Sequence, residues 1–289
     1  DDTIEATTVL QSSQPEDFGK IIGYAGQGIG PFRQYYDEEW NTIQRRVEDA
    51  LPKDQNHRLS SISDDFSVAV VTSTGPREPG AYYLLVGGSK IIPLGRSRPF
   101  LEPDKLAEMK YVEYEARDGM VIPAYLTTPN SGSAPFPTVV LPHGGPWARD
   151  DLRFDLWAQF LANRGYMVLQ PQYRGSQGWG QNLWRAGDKE WGGKMQDDKD
   201  DGARWLVEQG LAAEDRLAMY GYSYGGYAAM ASIVRPDTPY QCAIAGAGLS
   251  ELRYFDKVTF EGNFGREFQN PTIKGLSPLD VAKNASIPI

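Results

Sequence analysis

Residues 215–230 read DRLAMYGYSYGGYAAM. RLAMYG at 216–221 reads as a buried strand, and the small apolar residues from 225 to 234 read as a helix. Between them Gly221, Tyr222, Ser223, Tyr224 and Gly225 match G-x-S-x-G, in the strand-to-helix setting that a nucleophile elbow requires. The glycines have a steric reason: the serine sits on a tight, strained turn, where a Cβ at Gly221 or Gly225 would meet the adjacent strand or helix. That turn lifts the Ser223 hydroxyl above the carboxyl edge of the sheet. There the N-terminus of the following helix favours developing negative charge. A glycine-rich turn packed for closeness alone needs no such flanks, so Ser223 is the expected nucleophile.

Upstream, the β-branched run TVVLP at 138–142 leads directly into His143, Gly144, Gly145, Pro146 and Trp147. An acyl-transfer enzyme must bind the oxyanion of its tetrahedral intermediate. Glycine-rich backbone at this strand end can aim an N–H at that oxygen, together with the N–H after the nucleophile. The expected donors are Tyr224 and either Gly145 or Gly144. Alone, HGGP is an ordinary strand-to-loop turn; the serine motif downstream is what makes it informative. His143 is not the expected base, because in hydrolases of this type the chain order is Ser, Asp or Glu, then His. It reads as a structural group under the oxyanion loop. His57, in the polar stretch KDQNHR, reads as a solvated loop residue.

Around these motifs strands alternate with helices. KYVEYEA and MVIPAYLTT form an expected hairpin about RDG at 117–119, followed by a loop at 129–137 and then TVVLP. A helix with Phe154, Trp157, Phe160 and Leu161 on one face is expected next, ending near Gly165, then the buried strand YMVLQ at 166–170. A second helix over about 196–209 precedes RLAMYG, and QCAIAGAG at 241–248 is a further strand. The expected fold class is α/β, with a mainly parallel sheet covered by helices on both faces. Residues 1–103 differ. IIGYAG, FSVAVVTS, AYYLLV and KIIPLG read as short antiparallel strands, interrupted by one helix at 38–51 with Trp40, Ile43, Val47 and Leu51 on one face. No internal repeat by itself establishes a propeller. The expected domains are 1–103, a β-rich module, and 104–289, an α/β domain.

The 289 residues suit two domains, and 40% hydrophobic with 23% charged residues is a globular balance. Acidic residues outnumber basic ones 38 to 29, a net charge of −9, which argues against a nucleic acid or an anionic membrane as partner. Cys242 is the single cysteine, which rules out an intrachain disulfide, and with two histidines a cysteine- or histidine-rich metal site is not expected. Asp197, Asp198, Asp200 and Asp201 read as first-turn helix residues that complement the dipole, not as a cation site. Cys242 reads as inert core. Tyr173 and Arg174, after a buried strand, face the same edge as Ser223 and are candidate cleft lining, with His143, Trp179 and Tyr222. DDTIEATTVL has no signal-peptide character and no initiating Met, so both ends are expected to be cuts.

These pieces together resemble the prolyl oligopeptidase family of serine peptidases, and most of all its acylaminoacyl-peptidase-like branch. The matching stretches are ARDGMVIPAYLTTP at 116–129, LPHGGPWA at 141–148, LANRGYMVLQPQYRGSQGWG at 161–180, DDGARWLVEQG at 200–210 and the serine motif. RLSSISDD and GAYYLL resemble the closing blades of the β-propeller that precedes the hydrolase domain there. The resemblance implies an α/β-hydrolase domain preceded by the final propeller blades, and hydrolysis of short peptides through an acyl-enzyme, with no metal or organic cofactor. It further implies that the partner Asp and His lie downstream of Ile289, so that this stretch holds the nucleophile and oxyanion hole without its base. His143 stands where prolyl oligopeptidases proper place an oxyanion tyrosine, which favours the backbone donor. An esterase, or a non-catalytic binding protein, is the alternative reading of the same elbow.

Overall fold

A computed structural model of the chain describes residues 5–254 and 265–289. The chain divides into two compact units, Asp1–Met109 with Asp151–Gln159, and Lys110–Asp150 with Phe160–Ile289.

The first unit holds two antiparallel sheets. Strands β1 (Glu5–Gln11), β2 (Ile21–Gln27) and β3 (Pro31–Tyr35) pair in chain order, as do β4 (Asn56–Ile62), β5 (Val68–Gly75), β6 (Glu78–Val86) and β7 (Lys90–Arg96). Helix α1 (Glu38–Ala50) joins the sheets. Its N-cap is Asp37, whose carboxylate accepts from the N–H groups of Glu39 and Trp40. Trp40, Ile43 and Val47, three and four residues apart, share one buried face and pack with Ile22, Leu59, Val71 and Leu85.

His57 departs from the loop reading. It lies on β4 at 4% exposure, with Nδ1 2.6 Å from Ser73 Oγ and Nε2 3.0 Å from the Pro52 carbonyl. Burial lowers its pKa. The polar stretch around it disguised a strand, because strand pairing buries one residue in two whatever its neighbours are.

The second unit is built on a mixed six-stranded sheet. Strands β8 (Glu108–Glu115) and β9 (Val121–Thr128) form the hairpin expected around residues 117–119, with the Ala116 N–H on the Met120 carbonyl. Then come β10 (Phe136–Val140), β11 (Met167–Pro171), α3 (Gly180–Arg185), α4 (Lys194–Glu208), β12 (Ala212–Tyr222), α5 (Tyr224–Val234) and β13 (Cys242–Gly246), while helix α2 (Leu156–Ala162), between β10 and β11 in the chain, belongs through Gln159 to the first unit. Their order is β13-β12-β10-β11-β9-β8. β13, β12, β10 and β11 run parallel, whereas β9 is antiparallel to β11. Val139 and Val140 on β10, and Val168 and Leu169 on β11, are all buried, so the central strands are covered on both faces. Among the described residues no helix is long and apolar enough to cross a membrane.

Two helices differ from their sequence reading. In α2 the buried residues are Ala158, Gln159 and Ala162, while Leu156, Trp157 and Phe160 face solvent at 53%, 51% and 49% exposure. The small alanines permit close approach, and the Gln159 amide satisfies both the N–H and the carbonyl of Ala107. Phe154 lies before the helix, beneath the Arg98 guanidinium. Helix α4 begins at Lys194 with Gly193 as N-cap, so only Asp197 of the four aspartates sits in its first turn. Asp198 and Asp200 are buried, and the cluster is held by cations and amides: Asp198 by Arg174, Asp201 by Arg117, Asp197 by Arg235 and Asp200 by Gln196.

Candidate active site

Strand β12 ends at Tyr222 and helix α5 begins at Tyr224, leaving one residue, Ser223, to reverse the chain. Ser223 has φ 58° and ψ −119°, a left-handed conformation that a side chain adopts only when its surroundings enforce it. Two backbone bonds clamp it: its N–H donates to Gly246 O at 2.9 Å, and the Tyr227 N–H donates to its carbonyl at 2.9 Å. The glycines are sterically required. A Cβ on Gly221 would lie 2.3 Å from the Gly225 carbonyl carbon, and one on Gly225 would lie 2.4 Å from Pro142 O. The second contact packs the elbow against the loop that follows β10.

That loop carries Gly144 beside the serine: a Cβ built on Gly144 would be 3.5 Å from Ser223 Cβ and 4.0 Å from its Oγ. Gly145 has φ 124°, open to glycine, and a Cβ there would crowd the Trp147 N–H at 2.7 Å. Among the described residues no acceptor meets the N–H of Gly144, Gly145 or Tyr224. Two of these donors, Gly144 and Tyr224, stand beside the serine and stay available to an added anion, Tyr224 at the N-terminus of α5.

His143 braces this loop. Its Nδ1 lies 2.7 Å from Gly144 O, which can only accept, so Nδ1 carries the proton. Its Nε2, left as an acceptor, lies 2.8 Å from Ser176 Oγ, whose one proton is shared between this nitrogen and the Tyr173 carbonyl 2.6 Å away. Burial drives the His143 pKa down to about 3, so the ring is neutral. Tyr173 stacks on the imidazole at 4.4 Å between centroids, and its hydroxyl donates to the His143 carbonyl at 2.8 Å. The two histidines of the chain are thus engaged elsewhere, and among the described residues no side chain hydrogen-bonds the Ser223 hydroxyl.

The remaining candidates lie at different depths. Tyr222 is exposed next to the nucleophile, at 62%. Tyr173 is fully buried, and Arg174 is only 2% exposed, its guanidinium shared between Asp198 at 2.7 Å and Asp118 at 2.9 Å. Hydrogen bonding from Arg174 holds the Asp118 carboxyl well below the usual range. Trp179 is buried against Tyr111 in a parallel stack at 5.6 Å, with the Arg149 guanidinium 4.4 Å from its ring centre. Behind the elbow, Tyr224 stacks on Tyr173 at 5.3 Å and meets the edge of Trp191 at 4.7 Å. Trp191 is latched by Gly275, whose approach leaves no room for a Cβ, and its carbonyl accepts from the Leu276 N–H.

Sequence reasoning missed Lys199. It is fully buried one turn into α4, its ammonium 2.5 Å from the Met195 carbonyl and 3.6 Å from the centre of the Tyr173 ring. Its signal in the sequence, a lysine between two aspartate pairs, is that of a solvated helix face.

A model of the prolyl oligopeptidase family matches residues 152–287. Dipeptidyl aminopeptidase BIII of Pseudoxanthomonas mexicana is 34% identical over 263 residues, covering 85% of this chain and 38% of that protein. A puromycin-hydrolyzing peptidase of Mycobacterium tuberculosis superposes with a TM-score of 0.73 at 24% identity, covering 92% of this chain and 43% of that one. Pyrococcus horikoshii acylaminoacyl peptidase does so at 0.71 and 18%, covering 99% and 45%. The structural likenesses show the α/β-hydrolase fold, and the chain spans about two fifths of each of these proteins. With the family match running through the elbow and its glycine neighbours, this chain belongs to the prolyl oligopeptidase family.

Proposed function

We propose that the whole protein is a serine peptidase acting on short peptides through an acyl-enzyme. The observation that carries this reading is Ser223 on its strained elbow, partly exposed, with the N–H groups of Tyr224 and Gly144 beside it and, among the described residues, without an acceptor. Ser223 Oγ adds to the scissile carbonyl, and the resulting oxyanion takes hydrogen bonds from Tyr224 N–H and from the glycine loop. The C–N bond then breaks, the amine leaves with a proton, and water releases the acyl group from Ser223. Both histidines of this chain being engaged elsewhere, the base is a histidine oriented by an aspartate in the remainder of the whole protein.

Peptide substrates are supported by the relatives: one is named a dipeptidyl aminopeptidase, and a puromycin hydrolase is described as complexed with PGG. The likeness to acylaminoacyl peptidases is one of fold, so we place the protein with peptidases releasing small N-terminal pieces without assigning the blocked-terminus preference of that branch. Residues 1–103 serve as the last blades of a β-propeller, a role suited to the four-stranded meander β4–β7. A fluorophosphonate probe applied to the full-length protein should label Ser223, and Ser223→Ala should abolish both labelling and hydrolysis of peptide anilides. Labelling that persists in Ser223→Ala, or ester turnover without amide turnover, would sink the proposal.

A further inference from the structure

Lys199 is the buried cation that neither the fold nor the proposed chemistry explains. It is fully enclosed and, among the described residues, forms no ion pair. The neighbouring carboxylates are otherwise engaged: Asp198 by Arg174, and Asp200 by the Gln196 amide at 3.1 Å. An unbranched apolar side chain would fill the same space without the cost of desolvating a charge. The charge therefore acts on what it touches, which is the Met195 carbonyl and two ring faces, Tyr173 at 3.6 Å and Tyr224 at 5.2 Å. Those two tyrosines join the elbow to the glycine loop. Tyr224 is the first residue of α5, and Tyr173 both stacks on His143 and donates its hydroxyl proton to the His143 carbonyl.

We propose that Lys199 is a positioning residue: its ammonium, seated on the Tyr173 ring, holds the Tyr224–Tyr173–His143 stack that fixes the Gly144 N–H beside Ser223. The inference rests on the serine-peptidase reading above. The mechanism is electrostatic. A cation on the face of a phenol draws electron density from the ring and makes the hydroxyl a stronger donor. That hydroxyl holds the carbonyl of the His143–Gly144 peptide, and because N–H and C=O point opposite ways across a trans peptide, fixing the carbonyl fixes the direction of the Gly144 N–H.

Burial brings the Lys199 pKa down to about 7, against the pull of Asp198 and Asp200 on its own helix. Arg235, after α5, and Arg174, after β11, push the same way as burial. Tyr240 donates its hydroxyl to the Lys199 carbonyl at 3.1 Å and also faces Asp200. The ammonium is therefore present in mildly acidic solution and is lost as pH rises through neutrality, which gives the positioning effect a titration of its own.

The test uses the full-length enzyme and the second-order rate at which a fluorophosphonate labels Ser223, followed from about pH 5 to about pH 10. The wild type should slow on the alkaline side as Lys199 loses its proton near pH 7. Lys199→Met should be about tenfold slower near pH 6 and lack that alkaline fall, whereas Lys199→Arg should stay within about threefold of wild type and also lack it. Tyr173→Phe keeps the ring and removes the hydroxyl. It should show the loss seen in Lys199→Met, with little added by combining the two, and it serves alone if Lys199→Met does not fold. Wild-type rates and profile in Lys199→Met or in Tyr173→Phe would overturn the proposal. So would equal slowing of Met and Arg variants with the alkaline fall retained. A wild-type protein whose Ser223 takes no probe would overturn the serine-peptidase reading itself and this proposal with it.

Discussion

His143 Nδ1 lies 2.7 Å from the carbonyl oxygen of Gly144, so the imidazole holds the same peptide unit whose other end is the Gly145 N–H. That peptide is trans, so an oxygen anchored on the histidine side directs the N–H away from it. A neutral ring is suited to this task, since it can donate at Nδ1 and accept at Nε2.

Removing the ring should therefore cost an oxyanion donor. His143→Ala in the full-length enzyme is expected to lower kcat/KM by roughly two to three orders of magnitude, the scale of about 3–4 kcal/mol associated with one such donor. The loss should fall on kcat more than on KM, measured with a peptide anilide. A variant that lost only substrate affinity would contradict this.

The same ring sets a pH dependence. Its pKa of about 3 in the folded chain lies below the ordinary 6.5, so between these values the unfolded chain binds the extra proton. Its contribution to stability is complete above pH 6.5 and is lost as pH falls toward 3. His143→Asn should flatten the acid limb, narrowing the wild-type difference between neutral and mildly acidic solution by on the order of 2 kcal/mol in urea titrations.

At Gly221 and Gly225 an added Cβ meets backbone at 2.3 and 2.4 Å, and backbone cannot step aside as a side chain would. Either glycine replaced by alanine should destabilise the second unit by about 3 kcal/mol and abolish fluorophosphonate labelling of what remains folded. Intact labelling at wild-type stability would show that the elbow has more room than these distances allow.

Arg174 is sandwiched between Asp198, with no exposure, and Asp118. Arg174→Met leaves the Asp198 carboxylate buried without its cation, which should cost about 3–5 kcal/mol; Arg174→Lys should recover only part, since an ammonium cannot serve both carboxylates as a fork. Thermal unfolding of the three proteins side by side decides it.

Because His57 and His143 are both held by other partners, the 289 residues produced by themselves should hydrolyse peptides at least about a thousandfold more slowly than the full-length protein. Comparable rates would bring one of these histidines back as the base.

What the sequence made legible was what local chemistry determines. Gly221 and Gly225 around Ser223 are a steric necessity of one turn, and the Asp37-capped helix through Val47 follows from a cap and a periodicity within one segment. Lys199 was missed, and His57, Asp198 and the outer face of α2 were misread, for one shared reason. Their surroundings come from residues far along the chain: Tyr173 beneath Lys199, Ser73 beside His57, Arg174 on Asp198, and the Ala107 backbone on Gln159. Periodicity alone favoured the large residues of α2 as its buried face, whereas the structure buries the two alanines and a glutamine whose amide finds a backbone partner.

The edge-to-face contact between Trp191 and Tyr224 gives the elbow an optical reporter of its own. An indole at 1% exposure emits toward the blue, and among the described residues the aromatic ring nearest to it is that of the residue following the nucleophile. Loosening of the turn into α5 should appear as a red shift in the fluorescence difference between the wild type and Trp191→Phe, so the integrity of the serine turn can be followed with neither substrate nor probe.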